Sequence, residues 1–372
     1  MSEASPLNVL YIHGDGAGRF VEPHGFAVPT PNLSQLASEG VMFRNAFCTA
    51  PTCSPSRASL YCGNSPSRNG MHGLTPRGWW FRDERETLHD HLQHNGYQTV
   101  YAASPDFVQF GWDWKLIESH GGCKNEKELA AEVVEFLRHE ASAAQPFFMS
   151  AGVGFPKGRE RGLLPEGAAP VDRESVRPPL YYPDTPATRE DWARQIDATR
   201  LMDAYVGEVL RALDESGLAE NTLVLCTTDH GPGMPWMKGY PNDAGLGTFF
   251  IMRGPSGFSG GRRFDQLVSQ IDFFPTVCEL AGLPIPSWVE GASLLPLVRG
   301  WSEQLHEALF AETTYHYSYC PSRSVRTERY RYVRWYHQHP ASMMATSDGG
   351  PIKDMLLEAE AAARPVPHEA LY

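Results

Sequence analysis

Five short runs of apolar and β-branched residues punctuate the chain, at residues 8–13, 98–102, 146–151, 222–227 and 248–252, each running on into Gly, Ser, Asp or Pro. Runs of this length without polar alternation belong to strands covered on both faces, as in a largely parallel sheet. Between them, residues 31–39, 56–62, 88–95, 126–139 and 188–216 read as helices. The last is the clearest: Ile196, Met202, Val206, Val209, Leu210 and Leu213 recur at helical spacing, and Gly217 follows where the helix would stop. The alternation predicts an α/β layered fold whose ligands lie beyond the C-terminal ends of the strands. Residues 155–186, rich in Pro, Gly and charge, predict a long loop over one edge, of the kind that serves as a lid. Residues 322–335 predict an antiparallel hairpin with its arginines on solvated faces. The expected division is a large domain over residues 1–300 and a small C-terminal subdomain over 301–372.

The length of 372 residues supplies a sizeable core without disulfides or structural metals. A net charge of −12 argues against general binding to nucleic acid or anionic membranes, which needs a basic face. It leaves room for a local basic pocket that receives a small anion. No run of about 18 apolar residues is present, so no membrane-spanning helix is expected. The N-terminal residues show neither a basic nor an apolar leader region, and the seven cysteines fit neither a disulfide framework nor a CxxC zinc site. The expectation is a reducing compartment, the cytoplasm, with the periplasm as the alternative.

Three strand ends carry chemistry-bearing residues. The first is His13-Gly-Asp-Gly-Ala-Gly18, where glycines permit close backbone approach and Asp15 offers hard oxygen donors. Its spacing fits neither dinucleotide nor Walker motifs, and an ordinary turn explains the same residues equally well. The second is Thr227-Thr-Asp-His-Gly-Pro232, in which Asp229 and His230 suit a metal pair, an acid/base pair or, again, a turn. Lys238 follows in a Gly- and Pro-rich loop, where it could reach an anion or simply be solvated. The third is Cys53-Ser-Pro-Ser-Arg57. Pro55 favours a first helical turn, which puts Cys53 at the positive end of a helix, with Arg57 one turn on as a bidentate donor for sulfate or phosphate oxygens. A structural cysteine before a capped helix is the competing interpretation.

The stretch from Thr30-Pro-Asn-Leu through Phe43-Arg-Asn-Ala-Phe47 and Cys53-Ser-Pro-Ser-Arg-Ala-Ser-Leu-Tyr-Cys-Gly63 resembles the formylglycine-dependent (type I) sulfatases of the alkaline phosphatase superfamily. With Asn69-Gly-Met71 downstream it is most similar to the heparan N-sulfatase (sulfamidase) branch and its bacterial relatives. The resemblance continues through Leu201-Met-Asp203, Thr228-Asp-His-Gly231, Ile271-Asp-Phe-Phe-Pro-Thr276 and Arg323-Ser-Val-Arg-Thr-Glu-Arg-Tyr330. It implies an alkaline-phosphatase-like α/β/α sandwich with a mostly parallel central sheet and a small C-terminal antiparallel-sheet subdomain. The closing Glu369-Ala-Leu-Tyr372 resembles the start of the family's Leu-Tyr-Asp motif, so the sequence reads as a piece of a longer chain.

The resemblance implies that Cys53 is converted by a formylglycine-generating enzyme into the nucleophile precursor, with Pro55 and Arg57 completing the modification motif. Arg57 and Lys238 would hold the sulfate of a saccharide or aryl substrate. Asp15, Asp229 and His230, together with residue 53, would hold a divalent cation, Ca²⁺ foremost, with Mg²⁺ or another ion as alternatives. An imidazole at position 230, where the family often has Asn, tilts the donor set toward transition metals. Three departures stand out: Gly16 replaces a second acidic ligand, Val100-Tyr-Ala-Ala-Ser-Pro-Asp106 replaces a Lys-x-His segment, and Gly154-Phe-Pro-Lys-Gly158 replaces a His. Losing a positioned acid costs typically 10²–10⁴-fold in rate. Lys157, His72 and His120 are the replacement candidates, each weighed against an ordinary surface or packing role. The competing functions are a non-catalytic homologue that binds anionic glycans and a phosphodiesterase or phosphonate hydrolase.

Overall fold

The structure is a computed structural model that describes residues 6–82, 87–102, 115–116, 126–141, 144–157, 159–336, 344–359 and 367–372. Its strands are β1 (Asn8–Asp15), β2 (Val41–Phe47), β3 (Gln98–Ala102), β4 (Lys115–Leu116), β5 (Phe147–Pro156), β6 (Thr222–Thr228), β7 (Phe250–Arg253), β8 (Arg262–Ser269), β9 (Leu309–Tyr315), β10 (Tyr319–Arg326), β11 (Arg331–Trp335) and β12 (Glu369–Leu371). The first eight form one sheet in the order β4-β3-β5-β1-β6-β7-β2-β8. Only β7 runs antiparallel, to both β6 and β2. The last four form a separate antiparallel sheet in the order β12-β11-β10-β9.

All eight residues of β1 are buried, as a strand covered on both faces must be. Leu10 and Ile12 enter one core with α1 (Pro31–Glu39) and the long helix Pro186–Glu215. Val9 and Tyr11 enter the other core with α2 (Cys53–Cys62) and the helix Phe273–Ala281. Alternate side chains of one strand thus build the two interfaces of an α/β/α sandwich. The long helix starts where its sequence says it should, with a Thr185–Thr188 capping box and Pro186 in the first turn. Its buried Asp203 reaches across to cap α1, accepting hydrogen bonds from the backbone N of Asn32 at 3.1 Å and of Leu33 at 2.8 Å.

Several expectations need correction. α2 begins at Cys53 rather than residue 56, because Pro55 lacks only an N–H that the first turn leaves unpaired anyway. β5 runs on to Pro156, which carries the chain to Lys157 at the sheet's C-terminal end. The segment 162–185 packs on the long helix, where Val176 and Tyr182 join Trp192 and Ile196 in a third apolar cluster. The hairpin of β10 and β11 is present, but not all its arginines are solvated. Arg331 is 3% exposed and pairs with Asp243, its guanidinium over the Phe47 ring. That contact fastens the small sheet to the end of β2. Among the described residues, no helix is long and apolar enough to cross a membrane.

Candidate active site

β1 and β6 are parallel neighbours, so their C-terminal ends lie side by side. Asp15 closes β1, and Asp229 and His230 follow β6 directly. α2 presents its first residue, Cys53, to the same point, after Thr52 in extended conformation. The donor atoms of Asp15, Cys53, Asp229 and His230 lie within 4.8 Å of one another, and all four residues are buried. Cys53 Sγ is 3.3 Å from His230 Nε2, which lies 3.4 Å from Asp229 Oδ2. The positive helix end favours negative charge at position 53.

Arg57, 3% exposed, runs underneath this cluster. Its guanidinium lies 3.1 Å from Asp229 Oδ2 and 3.5 Å from Asp15 Oδ2, and it is anchored on the far side by His13 Nδ1 at 2.5 Å. Burial and the Arg57 charge hold the His13 imidazole well below its ordinary pKa, so it is neutral and accepts that hydrogen bond. Ser150 and Tyr61 continue the chain of hydrogen bonds behind it.

Burial alone would raise the Cys53 thiol, but Lys238 and His230 outweigh it and bring the pKa well below the usual thiol range. Burial opposes the charged form of His230 as well. Asp229 and the Cys53 thiolate overcome that and carry the imidazole up to about 9. Asp15 is raised, first by burial and then by the facing Asp229. Two carboxylates that repel each other in a dry site are what a cation relieves. Asp15 Oδ1 and Oδ2 and Asp229 Oδ2 are buried and, beyond the ion pairs with Arg57, accept no well-formed hydrogen bond. The donor set therefore fits a divalent cation at Asp15, Asp229 and His230. The second acidic position is filled by Gly16, whose N–H donates to Asp229 Oδ1 at 2.9 Å.

Above the cluster opens a cleft of about 460 Å³, lined by Cys53, Arg77, Lys157, Lys238, His316 and Asp348 among others. Lys238 is 2% exposed and pairs with Asp348 at 2.9 Å; burial opposes its charge, but Asp348 and Cys53 hold its pKa well above the ordinary value. Lys157 Nζ stands 4.0 Å from Asp15 Oδ2, and Asp15 raises its pKa. Of the three replacement candidates, Lys157 reaches the cleft. His72 lies beside the Trp79 ring and is not among the residues lining it, and His120 falls outside the described residues. Sequence reasoning missed His316, which follows β9 and lines the cleft together with Cys53, and Asp348, whose backbone N donates to Gly233 O at 2.7 Å. Neither carries a local motif; only the folded chain brings them to Cys53.

Residues 7–283 match the family model described as Sulfatase, which is well over half of the chain. The chain belongs to the sulfatase family. A second model, described as N-sulphoglucosamine sulphohydrolase, C-terminal, matches residues 236–354 of this sulfatase. Among curated relatives, human N-sulphoglucosamine sulphohydrolase is 29% identical over 381 residues, covering 90% of this chain and 74% of that protein. An ulvan-active sulfatase of Formosa agariphila is 27% identical over 371 residues, covering 88% and 61%. The chain thus spans about three-fifths to three-quarters of the length of these relatives. A solved 2-O GAG sulfatase shares the fold, with a TM-score of 0.71 at 24% identity over 89% of this chain and 83% of that one. A further neighbour, solved in complex with its substrate D-glucosamine-2-N,6-O-disulfate, has a TM-score of 0.72 at 16% identity, covering 89% of each chain.

Proposed function

We propose that this sulfatase hydrolyses a sulfate ester or sulfamate carried by a saccharide, with residue 53 acting after conversion to formylglycine by a maturing enzyme. The observation that carries the reading is the position of Cys53: at the N-terminus of α2, on the floor of a cationic cleft, within 4.8 Å of Asp15, Asp229 and His230. A hydrate at position 53 would find Arg57 below it and Lys238 beside it, fixed cations that favour the charge developing on a sulfuryl group. Asp15, Asp229 and His230 would hold the divalent ion, Ca²⁺ in the converted chain, which supplies Lewis-acid polarisation of a sulfate oxygen. Asp348 orients Lys238 rather than leaving it to swing in solvent. Lys157 and His316 line the same cleft, and we assign them the part of the absent Lys and His of the family, donating to the sulfate or to the leaving group.

The test is turnover by protein produced together with a formylglycine-generating enzyme. Hydrolysis of an aryl sulfate and of N-sulfoglucosamine is expected, with complete loss in Cys53→Ala. Turnover that survives Cys53→Ala, or an aryl phosphodiester cleaved faster than the aryl sulfate, overturns the reading.

A further inference from the structure

The chain in which Cys53 is still a thiol presents a different donor set from the one the converted enzyme would use. Its four buried groups are two carboxylates, an imidazole nitrogen and a sulfur, a mixed donor set rather than an oxygen-rich one. A Ca²⁺ ion wants six to eight oxygens at about 2.3–2.6 Å; a tetrahedral Zn²⁺ wants four donors, with nitrogen and sulfur welcome.

The geometry separates the two. His230 Nδ1 lies 2.7 Å from Gly231 O, so Nδ1–H donates to that carbonyl and Nε2 is the nitrogen aimed into the cluster. Such a carbonyl contact is how metal-binding histidines are usually oriented. Zinc bond lengths at a tetrahedral angle put sulfur and nitrogen roughly 3.5 Å apart, and nitrogen and oxygen roughly 3.4 Å apart. The corresponding separations are 3.3 Å for Cys53 Sγ to His230 Nε2 and 3.4 Å for His230 Nε2 to Asp229 Oδ2. Asp15, 1% exposed with both oxygens unpartnered by hydrogen bonds, supplies the remaining donor. The outermost separation, 4.8 Å, exceeds a tetrahedral edge by about 1 Å, which rotation of a carboxylate closes. A carboxylate at position 16 is disfavoured by the backbone, whose φ of +74° is one that glycine adopts and other residues rarely do.

We propose that the unconverted chain holds one Zn²⁺-class ion between Asp15, Cys53, Asp229 and His230, in preference to Ca²⁺. The proposal concerns the same residues as the activity above but does not depend on turnover. Either can fail alone, because one is read by bound metal in the thiol form and the other by hydrolysis in the converted form. Borderline ions also follow the order in which zinc outranks manganese and iron at mixed N/O/S sites.

The experiment uses full-length protein produced without a maturing enzyme, stripped with chelator and dialysed against equal micromolar Ca²⁺ and Zn²⁺. Bound metal is counted by inductively coupled plasma mass spectrometry. About one zinc per chain is expected, with calcium at less than about a tenth of that. His230→Asn should weaken zinc binding more than about tenfold, while its circular dichroism matches the parent. Co²⁺ provides a second readout. The loaded protein should show tetrahedral visible bands and a near-ultraviolet sulfur charge-transfer band, the latter lost in Cys53→Ser. Calcium retained over zinc, zinc binding unchanged in His230→Asn, or a Co²⁺ spectrum identical in Cys53→Ser would each overturn the proposal.

Discussion

Arg57→Met removes the cation that lies between the two buried carboxylates while keeping most of the side-chain volume. The guanidinium is 3.1 Å from Asp229 Oδ2 and 3.5 Å from Asp15 Oδ2, and both residues are 1% exposed, so water cannot take over. Removing one partner of a buried ion pair costs about 3–5 kcal/mol, a large share of the roughly 5–15 kcal/mol that holds a domain together. The chain has one escape, protonation of Asp15, whose pKa burial and Asp229 already raise. The penalty should therefore be largest above neutral pH and shrink toward pH 5, where protonating that carboxyl costs little. Urea unfolding followed by circular dichroism at pH 8 and pH 5 measures both effects. Saturating divalent cation should restore part of the loss at pH 8, because it occupies the same negative site. A variant within about 1 kcal/mol of the parent at pH 8 would mean that Asp15 and Asp229 do not face each other as charges, and the electrostatic account of the cluster would fall.

Lys238→Ala is expected to lower kcat on an aryl sulfate by about 10²–10³-fold, the usual effect of removing one preorganised donor to developing charge, with Lys238→Arg retaining most of the activity. Steady-state kinetics on converted protein decides it, and an unchanged kcat would remove Lys238 from the sulfate. Two buried histidines, His13 and His89, make acid unfavourable to the fold. Burial holds His13 and His89 well below the unfolded value near 6.5, so below that pH the unfolded chain takes up protons that the native chain refuses. Stability is present above pH 6.5 and is lost below it, at about 1.4 kcal/mol per pH unit for each of the two. His230, whose pKa is raised to about 9, works in the opposite direction, so the test compares the parent with His89→Gln. The variant should lose less stability between pH 7.5 and 5.5 by urea midpoints, and an identical pH dependence would contradict this.

How much of this was legible in the sequence follows from what each element faces. β1, β3, β5 and β6 could be read because they are covered on both sides and carry unbroken apolar runs. β2 and β8 could not: β8 is the edge strand, its Arg262, Arg263 and Asp265 exposed, and β2 beside it carries the exposed Arg44, so neither shows the buried pattern. Asp15, Cys53, Asp229 and His230 were legible because each sits at a strand or helix terminus, where punctuation by Gly and Pro marks the chain. His316 and Asp348 were not, since they reach the cleft from a hairpin turn and from the segment before the helix Pro351–Glu358, which no spacing rule links to Cys53. Arg331 misled for the opposite reason: in a run of arginines it looked solvated, and only Asp243, which packs against it from the main body, makes it a buried anchor.

Position 53 is where the account is most directly tested. Mass spectrometry of the tryptic peptide spanning residues 45–57, from protein produced together with a formylglycine-generating enzyme, reads the modification without any substrate. The account predicts an aldehyde at residue 53, with Cys48 in the same peptide remaining a thiol as the internal control. A peptide in which both cysteines keep their thiols would contradict it.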